Sequence, residues 1–259
     1  MTGPSRPGGP ALPRQTLHLA DAGEAADLAA FLGRLLHYDR GAAVRVQASG
    51  GTLAVFGRPP SFEVLAIRTA RLAKPYEHGI EAALDITVSA GELLESVDET
   101  AGTATVPDAV TGPPWAGVLP PRGGWHPEPG LPAPGAVRAM VAGAVAEFRS
   151  RTEELAPEER TRAVLDRIGR EIWSRPLGDS ELPVRVAHAA QALGFLRAVP
   201  ATATASAAAP AVPDPGPGAV PPDAPLSLLA AGAWLRLRTP YGSIAVRRAG
   251  VGPLTVTPT

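Results

Sequence analysis

The stretch AWLRLRTPYGSIAVRR occupies positions 233–248. Its centre, Thr239-Pro-Tyr-Gly, is turn chemistry: proline presets φ and glycine closes the turn without a side-chain clash. On both sides apolar and polar residues alternate, the period of a strand with one buried face. Folding the stretch about Pro240 and Tyr241 predicts the pairs Leu237–Ile244 and Leu235–Val246 on one face. The pairs Arg238–Ser243, Arg236–Ala245 and Trp234–Arg247 fall on the other. The first face is apolar and has to dock on something. The second carries three arginines and a tryptophan suited to a cation–π contact, with Arg248 adjacent. From position 225 to 259 there are four arginines and no acid, so the charge of this hairpin is locally unopposed. Trp234, Arg236, Arg238, Arg247 and Arg248 are therefore the candidate binding residues.

Three readings of that face remain open. The hairpin completes a sheet made by the first half of the chain, where residues 1–133 carry ten basic and fourteen acidic groups; outward charge then guards an edge strand. Alternatively, it is the wing of a DNA-binding winged-helix-like regulator and touches phosphates. In that case the third helix before it would enter the groove, yet that helix offers only Arg185, His188, Gln191 and Arg197 as polar reach. Or it meets the acidic surface of a protein partner, which is favoured over nucleic acid as the external ligand.

Composition bounds the rest. The chain has 259 residues, room for one or two domains, and a formal charge of −1, which excludes a broadly basic polyanion binder. It has no cysteine, so disulfides, thiolate nucleophiles, iron–sulfur clusters and zinc–thiolate sites are excluded. Lys74 is the one lysine against 23 arginines, a bias that reads as a GC-rich bacterial genome before it reads as anion recognition. Proline (30) and glycine (28) are in excess, and 21 of the prolines fall in three zones: 1–14, 107–134 and 200–225. Such zones resist helix and sheet alike.

The expected class is α+β: a mainly antiparallel sheet domain with an amphipathic helix, then a small helical unit and a C-terminal β-hairpin, joined by Pro-rich segments. The divisions are a disordered tail (1–14), an α+β domain (15–110), a Pro/Trp strap (111–134), a helical unit (135–198), an Ala/Pro-rich linker (199–224) and the basic hairpin with its tail (225–259). Asp21…Glu24 and Ser89…Glu92 are capping boxes, opening a helix over about 22–37 and a short one to about 97. Residues 43–48 and 52–56 alternate around Gly50-Gly51 and predict a hairpin. Residues 61–72 and 83–89 are further strands. In the helical unit Pro157 is read as a helix start, with Glu158–Arg162 and Asp166–Arg170 paired along the helix. The linker, fully extended, reaches about 85 Å, so docking of the hairpin on the first sheet is geometrically free.

Motifs for catalysis are absent. The five histidines show no metal-ligand spacing, and neither phosphate-cradling glycine loop occurs. No cofactor is expected. The one cluster of mixed polar chemistry is Lys74-Pro-Tyr-Glu-His78, which in an enzyme would supply Glu77 or His78 as acid/base, with Trp115 and Trp125 as pocket walls. Neither a signal segment nor a membrane span is read, so the expected compartment is the cytoplasm. The functional expectation is a non-catalytic macromolecule-binding or regulatory protein acting through the Arg/Trp hairpin, with the winged-helix regulator and the small-molecule enzyme as alternatives.

Overall fold

A computed structural model describes residues 15–73, 84–197 and 226–248. The expectations for the N-terminal tail, for the Lys74–His78 loop and for the linker lie outside the described residues.

The architecture is α+β with antiparallel sheets. The first strand, β1 (Thr16–His18), leads into α1 (Ala22–Tyr38), whose start is set by Asp21: its Oδ1 accepts from the Glu24 amide at 2.9 Å. A hairpin follows, β2 (Ala43–Ser49) and β3 (Thr52–Gly57), turning through Gly50 at φ 57°. Next come β4 (Leu65–Arg71) and β5 (Leu84–Ser89). The run read as a strand from position 61 begins instead with a 3-10 turn at Pro60–Phe62. Ser89 caps α2 (Ala90–Glu95), and the short strands β6 (Val97–Asp98) and β7 (Thr103–Thr105) form a three-stranded sheet with β1 in the order β1-β7-β6.

Residues 110–125 then run along one face of the larger sheet and end in β8 (His126–Glu128). The helical unit is α3 (Pro134–Glu153), α4 (Arg162–Trp173) and α5 (Val184–Ala192). Pro157 opens only a 3-10 turn to Glu159; the second helix starts anew behind Thr161, whose hydroxyl accepts from the Val164 amide. That break separates Glu158 from Arg162, which lies 3.7 Å from Asp166 instead. Last come β9 (Ser227–Ala231), β10 (Trp234–Thr239) and β11 (Gly242–Arg247). The C-terminal element is thus three strands, one more than the hairpin predicted.

Among the described residues the main sheet has eight strands, in the order β5-β2-β3-β4-β11-β10-β9-β8. The β10–β11 register is Leu237↔Ile244, Leu235↔Val246, Arg236↔Ala245, as the turn dictates. The ribbon joins the N-terminal strands through β11 on β4, with Ser243↔Ile67 and Ile244↔Ala66. A wing projects free; here β4 and β9 occupy both edges of the hairpin.

One face of the sheet is covered by helices. Leu237 and Ile244 are fully buried there, together with Phe31 of α1 and Phe195 just beyond α5, whose rings stack at 5.7 Å. The helix that a winged-helix arrangement would place in a DNA groove is packed against β11, with Val184, Val186, Ala187, Ala189 and Ala190 buried. His188 stacks on Trp173 at 4.5 Å and meets Phe62 edge-on at 5.1 Å, so this side chain is an aromatic core element rather than polar reach.

Candidate binding face of the arginine ribbon

Alternation along β10 sends Leu235 and Leu237 to the helix side and Trp234, Arg236 and Arg238 to the other, which we call the outer face. The outer face is partly closed. Phe56, Leu65, Ile67 and Ala245 form a small apolar cluster on it, against which Trp115, Leu119 and Trp234 pack. Residues 110–125 are pinned at the β5 edge by the Val110 amide on the Thr87 carbonyl. At the opposite edge β8 pairs with β9 through His126↔Ala230 and Glu128↔Leu228. Val118, in this segment, is one of two large apolar side chains exposed among the described residues.

The five candidate residues do not share one environment. Arg236 lies against the Trp125 ring, 5.6 Å from its centroid, with its Nε buried and without a hydrogen-bond partner. Burial, with Arg238 beside it, pushes its guanidinium down to about 10, so it still carries its charge at neutral pH. No ion pair among the described residues includes Arg236. Arg247 is exposed and lies 5.3 Å from the Trp234 ring, the cross-strand cation–π contact expected from the register. Arg238 is half-buried and engaged in a contact of its own. Arg248 departs from the expectation of unopposed charge: it pairs with Glu128 and lies 3.3 Å from Glu181, so it fastens the ribbon to β8 and to the loop before α5. The acids that neutralise it are remote in sequence, and a count confined to residues 225–259 could not find them.

Sequence reasoning also missed a second cluster on the helix side of the sheet. Arg68, in the middle of β4, is buried and reaches Glu24 at 3.0 Å and Asp27 at 3.2 Å, both on α1. It also donates to the Tyr241 carbonyl at 2.9 Å, in the turn between β10 and β11. Burial lowers its pKa, opposed by Asp27 and Glu24. Arg197 donates to Asp27 at 2.5 Å and stacks 3.6 Å above the Tyr241 ring; burial works against its charge, but the Asp27 and Tyr241 contacts outweigh burial and raise its pKa. Arg71 reaches Asp21 and Glu24 at 3.0 and 2.9 Å. The signal for this clasp was an arginine between Ala66 and Ala70 on the apolar side of the alternation in Leu-Ala-Ile-Arg-Thr-Ala-Arg. The cleft beside it, lined by Asp27, Phe31, Arg34 and Tyr241, holds about 10 Å³, room for one water and no larger ligand.

The Trp125 wall foreseen for an enzyme pocket is therefore the stacking partner of Arg236. Among the described residues no group of three or more histidine or carboxylate side chains is gathered as a metal site requires. No helix of the described residues is long and apolar enough to cross a membrane.

Comparison with known proteins matches both parts of the chain. Residues 12–117 match a domain of unknown function, DUF8010, and residues 120–251 a second domain of unknown function, DUF8185. No curated protein matches. The boundary between the two matches falls within the segment that runs over the outer face, and each match contributes strands to the eight-stranded sheet. Since the second match covers more than half of its length, the chain belongs to the DUF8185 family.

Proposed function

We propose that this protein works by binding a macromolecular partner through the outer face of its C-terminal ribbon, with Trp234, Arg236, Arg238 and Arg247 as the contact residues. The observation that carries the reading is Arg236: a guanidinium largely withdrawn from water, with an unsatisfied Nε and, among the described residues, no carboxylate in reach. Desolvating a charge without a counter-ion is costly, and that cost is recovered when a ligand brings the missing anion. Arg248 belongs to the architecture rather than to this face, because Glu128 and Glu181 already neutralise it.

The test is alanine at Arg236, Arg238 and Arg247 together. The native protein should bind poly-glutamate or a DNA duplex at low salt, weakening as salt rises, and the triple variant should lose that binding. A salt slope of about −2 to −4 on a log–log plot is expected if three or four phosphates are engaged. Binding of neither polyanion by the native protein would sink the reading.

A further inference from the structure

The inference rests on the reading above and names the chemistry that the outer face takes. Arg236 pairs with Ala245 and Arg247 with Trp234, so the two arginines are diagonal neighbours on one face of β10 and β11. Such neighbours lie about 7–8 Å apart. Carboxylates on alternate residues of an extended chain recur at about 6.5–7 Å, twice the rise of a strand. We propose that the outer face binds an extended acidic peptide, one carboxylate seated on Arg236 beside Trp125 and the carboxylate two residues on seated on Arg247 beside Trp234.

Three observations favour a peptide over nucleic acid. Arg68, Arg197 and Arg248 are each held by carboxylates of the chain itself. The whole molecule is slightly acidic, at −1, so no broad positive field surrounds the face, whereas polyanion binders carry one. The charged strip is also narrow: the Phe56–Leu65–Ile67–Ala245 cluster, with Trp115 and Leu119 on it, borders the strip on one side. A planar guanidinium fork takes one carboxylate in two parallel hydrogen bonds, and a desolvated fork gains most from doing so. Trp125 and Trp234 supply flat apolar walls on which the intervening residues of an extended chain can lie.

The experiment titrates the full chain with a labelled peptide of alternating glutamate and threonine, followed by fluorescence anisotropy. The same peptide with glutamine for glutamate and a DNA duplex serve as comparison ligands. The glutamate peptide should bind and the glutamine peptide should not. Arg236→Met, which keeps the apolar stem and removes the charge, should weaken binding at least about tenfold. Arg247→Gln, at an exposed position, should weaken it about two- to fivefold. Arg162→Gln on α4, almost fully exposed and remote from the ribbon, should bind as the native chain does. If Arg236→Met and Arg247→Gln both retain native affinity, the inference is overturned. It is overturned too if the duplex binds and the glutamate peptide does not, while the broader reading of a contact face survives. If neither ligand binds, both fall.

Discussion

Arg68 and Arg236 lie on opposite faces of one sheet, three strands' breadth of which they share, and both are withdrawn from water. Their surroundings differ in one respect. Around Arg68 the chain supplies Glu24, Asp27 and the Tyr241 carbonyl, so every part of the guanidinium fork that points inward finds an acceptor apart from Nε. Around Arg236 it supplies an indole ring and a second arginine. The first arrangement is complete within the molecule and ties α1, β4 and the β10–β11 turn together. The second holds no counter-ion among the described residues, and the proposed contact would supply one. Burial of a charge does not distinguish architecture from function; the presence of its counter-ion does.

Several measurements break or sharpen that contrast. The largest effect belongs to Arg68→Ala, which leaves Glu24 to Arg71 and Asp27 to Arg197 and strands the Tyr241 carbonyl in the turn; urea denaturation should show a loss of about 2–4 kcal/mol. A loss below about 1 kcal/mol would put Arg68 in the same class as Arg236 and dissolve the comparison. Gly242→Ala comes next. A Cβ at that position would lie 2.6–2.8 Å from three carbons of the Phe195 ring, so the turn and the end of α5 must separate. Overpacking of this kind costs about 1–3 kcal/mol and should appear as a lowered Tm. Arg236→Met then gives the opposite sign: with no counter-ion to abandon, stability should hold to within about 1 kcal/mol or rise. A marked drop would mean that the arginine is structural.

The smallest effect is one of pH. Burial between Trp173 and Phe62 lowers the His188 pKa, and the two rings in contact with it offer no counter-charge. The folded state therefore binds fewer protons than the unfolded chain below about pH 6.5. Stability from this group is present above about pH 6.5 and declines as pH falls toward the lowered folded value. His188→Phe should flatten the stability profile between about pH 7 and pH 5, read from denaturation midpoints at fixed ionic strength. A slope unchanged by the substitution would show that carboxylates, not His188, set the acid limb.

Local elements were legible where two signals agreed. The β10–β11 register followed from a turn sequence and strict alternation, and the start of α1 from Asp21 and Glu24 in a capping box. β9 was overlooked because Ser-Leu-Leu-Ala-Ala lacks alternation; both Ala230 and Ala231 are buried, one on each side of the strand. The second helix of the helical unit was read too long because Pro157 and Glu158 look like a first turn, while Thr161, the cap that nucleates α4, stands four residues later. That the ribbon completes the sheet of the first half was one of the readings open in the sequence, and the structure shows it; which strand it joins was out of reach of any local pattern, because Ile244 and its partner Ala66 lie far apart in the chain. The two arginine sites diverge for the same reason. Their alternation is visible in one dimension, and the carboxylates that separate them arrive only in three.

The position of the ribbon has a consequence for how the protein is made. Its strands are the last described residues to leave the ribosome, yet they sit inside the sheet rather than at its rim. Until Ser243 emerges, β4 presents an open hydrogen-bonding edge flanked by Leu65 and Ile67, and Arg68 waits for the Tyr241 carbonyl. An unpaired apolar edge invites association with other chains. Nascent or prematurely terminated products ending before β11 should thus be aggregation-prone and dependent on chaperones, while completed chains close the gap within themselves.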